Sequence, residues 1–235
     1  MGALSPGGGG PVGLNPGFVV RWERATPEIL AGRPWPEPAA RTVWFVAVDR
    51  PTLVLGSTQP DAVVDRGRAA AAGVEVVRRR TGGGAVLLRP EETVWADVLV
   101  PADDPRAEPD VGRAFDWIGR AWVRALAAVG VEGATVHEGP PRPATPWSDV
   151  VCFAGLGPGE VTVAGAKVVG MSQRRTRAGS LFQCGALVAW DPQALVDLLA
   201  GGDGSAATEL DGVAAGTGVD PDRLAAAFEG ALHDA

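Results

Sequence analysis

The sequence predicts one α+β domain, in which β-strands pack against a few helices. Runs of β-branched and aromatic residues at 42–48, 52–55 and 93–100 indicate strands. Apolar residues within 110–129 recur at spacings of three and four, which is typical of an amphipathic helix, and Gly130 ends it. The length of 235 residues fits one large domain or two small ones, and strands with helices set against them favour one.

The remaining elements are predicted from the same patterns of periodicity and glycine or proline stops. Strands are expected at 74–78, 85–88, 149–153, 160–163, 167–171 and 180–188, and helices at 61–72, 192–199 and 221–232. The Gly- and Pro-rich segment 1–17 cannot bury a core, so we expect a disordered tail. Residues 18–235 then form the catalytic or binding domain.

Composition excludes several classes of function. A net charge of −7 and a pI near 4.9 argue against a partner that is a nucleic acid or a membrane surface. Two cysteines without a CxxC spacing indicate free thiols in a cytoplasmic protein. With only two histidines, His137 and His233, a Ser-His-Asp triad is not expected, and we predict no metal site.

The chain contains one lysine, Lys167, beside twenty arginines. Lysine differs from arginine in its compact ammonium, its flexible stem and a pKa that shifts readily. A sequence that uses arginine almost everywhere else favours a chemical role for this lysine, although chance retention is the plain alternative.

A triple-glycine segment joins two predicted strands. It reads Arg78-Arg79-Arg80-Thr81-Gly82-Gly83-Gly84-Ala85-Val86. Consecutive glycines let backbone amides converge on an anion, and the arginines add fixed positive charge suited to a phosphate or carboxylate. The segment is neither a P-loop nor a dinucleotide fingerprint. Alone it favours a plain hairpin over a binding loop.

Lys167 lies in a second segment with the pattern of a hairpin. Residues 161–174 read as a strand, an Ala-Gly turn and a second strand on which Lys167 stands near the start. Strict alternation would place Val168 and Gly170 on the face opposite Lys167 and Val169. We expect the ammonium to point into the hollow that contains the glycine turn.

Together the two segments resemble the biotin/lipoate protein ligase superfamily, in the branch of lipoate–protein ligase A and the octanoyltransferases. The family's pattern of arginines, Ser or Thr, three glycines and Ala-Val is similar to Arg78–Val86, and its lysine pattern is similar to Gly165–Gln173. A third pattern is matched loosely by Phe182–Leu187. The resemblance implies a catalytic domain of this superfamily, with a mixed, mostly antiparallel sheet and flanking helices.

The resemblance implies acyl transfer to a lysine of a lipoyl carrier domain, such as a 2-oxoacid dehydrogenase E2 or the glycine cleavage H protein. In the ligase reading, ATP and Mg²⁺ are co-substrates, and lipoate or octanoate becomes an acyl-AMP. Lys167 would orient the acyl group and stabilise developing negative charge. The residues implied in binding the substrate or adenylate are Arg79, Arg80, Thr81, Gly82, Gly83, Gly84, Ala85, Asp149, Gly165 and Gly170.

Departures from the ligase pattern keep two alternatives open. The His-Asp-x-Gly-Asn segment that usually follows the glycines in ligases is replaced by residues 87–92. Val151-Cys152-Phe153 resembles the stretch that carries the nucleophile in cysteine-dependent transferases. Cys152 could thus form a thioester without any cofactor, with an acyl carrier protein or an accessory subunit as a further partner, although a buried strand cysteine is the plain alternative. The second alternative is a module that binds an acyl group or acyl-AMP without turnover.

Overall fold

Two β-sheets form the centre of the fold in the computed structural model, which describes residues 17–234. In chain order, the strands are β1 (Val19–Arg24), β2 (Thr42–Ala47), β3 (Thr52–Leu55), β4 (Glu75–Arg78), β5 (Val86–Leu88), β6 (Thr93–Pro101), β7 (Ala134–Val136), β8 (Arg142–Pro143), β9 (Gly155–Leu156), β10 (Val161–Val163), β11 (Ala166–Thr176) and β12 (Gly179–Leu187). The helices are α1 (Pro27–Gly32), α2 (Arg66–Ala71), α3 (Asp116–Ala128), α4 (Pro192–Val196), α5 (Gly204–Leu210) and α6 (Pro221–His233).

The larger sheet has seven strands in the order β1-β2-β6-β12-β11-β10-β7. Only β1 and β2 are parallel in it, and the other neighbours are antiparallel. The smaller sheet has the order β4-β3-β5, and β8 pairs with β9 as a short ribbon. These pairings confirm the predicted α+β class and the mixed, mostly antiparallel sheet.

Buried apolar side chains pack on both faces of the larger sheet and on the outer face of the smaller one. Helices α3 and α6 pack on one face of the larger sheet, where Trp122 and Phe228 stack with ring centroids 3.7 Å apart. The smaller sheet covers the other face, and α2, α4 and α5 close its outer side. Every residue of β6 is buried because this central strand is covered on both faces. Side chains of β6 therefore reach the space between the sheets.

Several predicted elements differ in extent. The expected helix 61–72 starts later: Asp61–Val63 is a 3₁₀ turn, and α2 begins after Asp65, whose carboxylate accepts a hydrogen bond from the Arg68 amide at 2.9 Å. The expected helix 110–129 likewise begins at Asp116, after another 3₁₀ turn.

The sequence patterns did not indicate β1, β7, α1 and α5. Strand β1 is an edge strand in which Trp22 is 46% exposed and three of the six residues are charged, so its signal is weak. The predicted tail, apart from Gly17, lies outside the described residues. Within residues 17–234, no helix combines the length and the apolar character that crossing a bilayer would require.

The Trp122–Phe228 contact predicts a large loss of stability for Trp122→Ala. Removing a fully buried indole should lower the free energy of unfolding by about 3–5 kcal/mol. Val111→Ala is the control: the sequence pattern places Val111 in the apolar stripe, but in the structure it precedes the helix and is 59% exposed. Urea denaturation would contradict the assignment of the core if the two variants lost similar stability.

Candidate active site

A small hollow lies between the two sheets, where the glycine turn meets the centre of the larger sheet. Its polar walls are Arg79, Cys152, Ser172 and Gln183, and its apolar walls are Val86, Trp95, Phe153 and Met171. Gly170 and Gly185, which face each other on β11 and β12, complete the lining. Neither of these two residues has a side chain, so this part of the hollow is bare backbone.

The glycine turn 82–84 needs its glycines for two different reasons. Gly83 has a φ of 98°, which strongly favours glycine. Gly84 instead packs directly on a neighbouring chain segment, since a methyl group added there would lie 2.5 Å from the Val151 carbonyl carbon and the Cys152 nitrogen. Among residues 17–234, no acceptor takes a hydrogen bond from the amides of Gly82, Gly83 or Gly84. Three amides without a protein acceptor therefore follow one another along the turn, next to the hollow.

A pair of backbone hydrogen bonds ties the turn to Cys152. The Ala85 amide donates to the Val150 carbonyl at 2.7 Å, and the Cys152 amide donates to the Ala85 carbonyl at 2.9 Å. Two segments that are distant in sequence are thereby brought into contact, and the hollow opens where they meet.

The predicted strand 149–153 is wrong. Residues Cys152–Ala154 form a 3₁₀ turn, and the Val150 and Val151 amides both donate to the Trp147 carbonyl. Only an isolated parallel bridge between Ala85 and Val151 remains of the strand. The turn leaves Cys152 half-buried on the wall of the hollow rather than in a strand interior.

Arg79 lies beneath the glycine turn and is 2% exposed. Its guanidinium donates to the carbonyls of Val54 at 3.3 Å, Gly82 at 2.7 Å and Gly84 at 3.0 Å. Burial lowers the pKa of Arg79, and the nearby Cys152 side chain opposes that change. The guanidinium thus adjoins both the turn and the thiol.

A buried polar chain fixes the other side of the turn. Thr81 donates to the Gln183 side-chain oxygen at 2.6 Å and accepts from Ser172 at 3.0 Å. Gln183 donates to Asp97 at 3.2 Å, and Arg33 pairs with Asp97 at 3.1 Å. Burial raises the pKa of Asp97, and the charge of Arg33 opposes that rise. The sequence analysis missed Asp97, although an acidic residue inside an apolar strand was a visible signal.

Lys167 is 3% exposed and has its three donor positions filled. Its ammonium pairs with Glu160 at 2.6 Å and donates to the carbonyls of Cys152 at 2.8 Å and Gly155 at 3.0 Å. It also lies 5.1 Å from the ring centroid of Phe153. The ammonium therefore lies directly behind the wall formed by Cys152 and Phe153, and it holds that wall in place.

The expected alternation along β11 is wrong at Lys167. A β-bulge makes Lys167 pair with Thr162 and Val169 with Val161, so Val168 is the extra residue. A methyl group added to Gly170 would lie 3.1 Å from the Lys167 Cε. Lys167 and Gly170 therefore share a face, and the lysine side chain reaches the Cys152 turn because of the bulge.

Glu160 is the second residue that the sequence analysis missed. Its carboxylate accepts from the Gly157 amide at 2.7 Å and the Met171 amide at 3.0 Å, besides pairing with Lys167. Buried charges persist in proteins when they are paired and hydrogen-bonded, as both groups are here. The only signal in the sequence was an acidic residue directly before the apolar run of β10.

Of the residues implied in binding, Arg79 and Gly170 line the hollow, residues 81–85 form the turn beside it, and the other three lie elsewhere. Arg80 is exposed, and its amide donates to the Ala31 carbonyl at 2.9 Å. Asp149 is exposed in the turn before Val150. Gly165 occupies the exposed tip of the β10–β11 hairpin with a φ of 86°, so its place in the fold is explained by the turn itself.

Cys184 differs sharply from Cys152. It is fully buried in the core beneath α3, and burial raises the pKa of its thiol to about 12. It therefore stays protonated and unreactive at neutral pH.

Two other features lie outside this arrangement. A larger cleft between β1, α1 and the starts of β3 and β4 contains none of the motif residues. No grouping of His, Cys, Asp and Glu suited to a metal ion occurs within the part of the chain that the structure describes.

Comparison with known proteins identifies the family. The family model of the lipoyl protein ligase A/B catalytic domain matches residues 28–219, so the chain belongs to this family. Octanoyltransferase LipM of Carboxydothermus hydrogenoformans is 36% identical over 145 residues, covering 61% of this chain and 51% of the relative. LipM of Kyrpidia tusciae is 36% identical over 155 residues, covering 64% and 56%. The chain thus spans about half the length of these curated relatives.

Solved structures share the fold at low sequence identity. Lipoate-protein ligase A bound with ATP superposes with a TM-score of 0.69 at 18% identity, covering 93% of this chain and 84% of the other. A bi-partite lipoate protein ligase from Thermoplasma acidophilum, described with its E2 lipoyl domain, gives 0.67 at 18% identity, covering 92% and 83%. These likenesses support the fold alone.

The close contact at Gly84 predicts that Gly84→Ala separates the glycine turn from the Cys152 turn. The added methyl group meets backbone atoms, so we expect a loss of about 1–3 kcal/mol in the free energy of unfolding and altered reactivity of Cys152. Gly82→Ala is the matched control, because a methyl group there meets no atom within 4 Å. Equal thermal stability of the two variants would contradict the contact.

Proposed function

We propose that this domain transfers an octanoyl or lipoyl group to a lysine of a lipoyl carrier domain through a thioester on Cys152. The observation that carries the proposal is the position of Cys152, whose half-buried thiol lies on the hollow between the glycine turn and Arg79. The Lys167 ammonium holds the carbonyl of the same residue. A nucleophile, positive charge and free amides therefore meet at one point.

The similarity to two octanoyltransferases supports this reading over the adenylate-forming ligase that the sequence analysis put first. Because the match covers about half of each relative, the activity, the acyl group and the carrier of the whole protein are part of the proposal.

In the first step, the Cys152 thiolate attacks the carbonyl carbon of an acyl thioester presented by an acyl carrier protein. A new carbon–sulfur bond forms, the donor's carbon–sulfur bond breaks, and the donor thiol leaves as a thiolate that takes up a proton. The free amides of Gly82, Gly83 and Gly84 are available to the oxyanion that forms between these events.

In the second step, the amine of the carrier lysine attacks the same carbon. An amide bond forms, the Cys152 sulfur leaves as a thiolate, and the amine loses a proton to solvent or to the thiolate. The step needs neither ATP nor Mg²⁺, because the thioester already supplies an activated acyl group.

In this proposal, the apolar acyl tail lies along the side of the hollow that has no side chains. Gly170 and Gly185 leave bare backbone there, and Trp95, Phe153 and Val86 provide apolar walls. Lys167 acts from behind: with all its donors engaged, it orients the Cys152 carbonyl.

The second candidate function is the ligase reaction through an acyl-AMP. The three consecutive glycines and the fold shared with an ATP-bound ligase favour it. In that case ATP and Mg²⁺ are consumed with lipoate or octanoate, and Cys152 has no covalent role. Exchange of pyrophosphate into ATP in the presence of octanoate would support the ligase and contradict the thioester route.

We predict that Cys152→Ser abolishes octanoyl transfer from an acyl carrier protein to a lipoyl domain, because serine lacks an accessible anion near neutral pH. The wild-type protein incubated with donor alone should gain one octanoyl group on Cys152, detected by mass spectrometry of peptides. Cys184→Ala is the control and should keep both activities, since Cys184 is buried in the core. Transfer by Cys152→Ser at the wild-type rate would rule out the thioester, whereas tight acyl-AMP binding without turnover would indicate a binding module.

We predict that Lys167→Arg lowers kcat by at least about 100-fold, although it keeps a positive charge. The planar guanidinium cannot occupy the closed site between Glu160, the two carbonyls and Phe153, so the Cys152 turn should shift. The measurement is single-turnover acyl transfer to a lipoyl domain. A wild-type rate in a folded Lys167→Arg protein would remove Lys167 from the mechanism.

A further inference from the structure

Arg79 is a buried cation without an acidic partner. Among residues 17–234, no carboxylate lies within ion-pair distance of it, and all of its protein acceptors are carbonyl oxygens. Its Nε is also buried without any hydrogen-bond partner. A buried charge is costly unless it is paired, so this arrangement calls for an anion.

The neighbouring arginines do not share this property. Arg33 is equally buried but pairs with Asp97 and with Glu23, the latter at 2.5 Å. Arg78 reaches Asp61 at 2.6 Å and is half-buried. Among these three arginines, Arg79 alone lacks a carboxylate partner, and it is located on the wall of the hollow.

The group on the same wall that can become an anion is the Cys152 thiol. Gly84 presses on the Cys152 backbone on one side and gives its carbonyl to Arg79 on the other. A methyl group added to Gly83 would lie 2.9 Å from the Arg79 Nη2, so the guanidinium fills the space directly under the turn. The turn thus contacts the guanidinium on one side and the Cys152 backbone on the other.

We propose that Arg79 is a catalytic residue whose guanidinium balances the negative charge of the Cys152 thiolate. In this arrangement its unpartnered Nε–H donates a hydrogen bond to the sulfur. The inference rests on the proposed thioester route and adds the group that makes the sulfur reactive in it. A cation beside a thiol favours the thiolate, which is both the attacking group in the first step and the leaving group in the second. One residue therefore serves both half-reactions.

The test is the pH dependence of Cys152 alkylation by iodoacetamide, which requires no acyl donor and no transfer. In a Cys184→Ala background, Arg79→Gln should move the midpoint of the alkylation rate upward by about 1 pH unit or more. Arg79→Lys keeps a positive charge but loses the planar guanidinium. The midpoint of its alkylation rate should lie between those of Arg79→Gln and the parent protein. Arg78→Gln is the matched control, since its guanidinium is directed away from the hollow towards Gly56, Gln59 and Asp61, and its midpoint should not move.

If Arg79→Gln does not fold, a second measurement tests the inference on protein that retains Arg79. The reagent ratio is the rate of alkylation by anionic iodoacetate divided by the rate with neutral iodoacetamide. This ratio should be higher at Cys152 than in a cysteine peptide by about 5-fold or more, because a nearby cation attracts the carboxylate of iodoacetate. An unchanged midpoint in a folded Arg79→Gln protein, or a reagent ratio equal to that of the peptide, would overturn the inference. Both results are independent of the transfer assay on Cys152→Ser, which tests the thioester route itself.

Discussion

The site depends on the backbone contact between the glycine turn and the Cys152 turn. Ala85 exchanges hydrogen bonds with Val150 and Cys152 across a distance that only a glycine at 84 permits. Two further contacts act on the segments that this one joins. Arg79 is anchored to the turn's carbonyls, and Lys167 donates to the Cys152 carbonyl. A side chain at 84 would separate the two halves, whichever residues they carried.

Two buried cations approach Cys152, and they differ in how their charge is balanced. Lys167 is neutralised by Glu160 and saturated with acceptors, which suits a group that fixes a backbone position. The acceptors of Arg79 are carbonyl oxygens only, and its Nε has no partner. The same electrostatic principle therefore separates the two residues: Lys167 fixes the Cys152 main chain, and Arg79 keeps an unbalanced charge, which our proposal assigns to the Cys152 thiolate.

The sequence could predict the class of fold and part of the hollow, namely Arg79, Cys152 and Gly170, because these depend on local patterns. The strand runs, the glycine triplet and the lone lysine are all visible without coordinates. What could not be predicted depends on tertiary pairing: the bulge that turns Lys167 towards Gly170, and the 3₁₀ turn in place of a strand at Cys152. Asp97 and Glu160 were missed for the same reason, since a buried carboxylate is recognised by its partner, which is distant in sequence.

The engagement of the chain's lone lysine has a consequence for selectivity. Arginine supplies all other basic side chains, and the guanidinium does not act as an acyl acceptor near neutral pH because it stays protonated. With the ammonium of residue 167 enclosed and salt-bridged, a thioester formed in the hollow meets no competing side-chain amine of its own chain. In the proposed thioester route, the acyl group is thereby protected from self-modification and kept for the amine of the carrier domain.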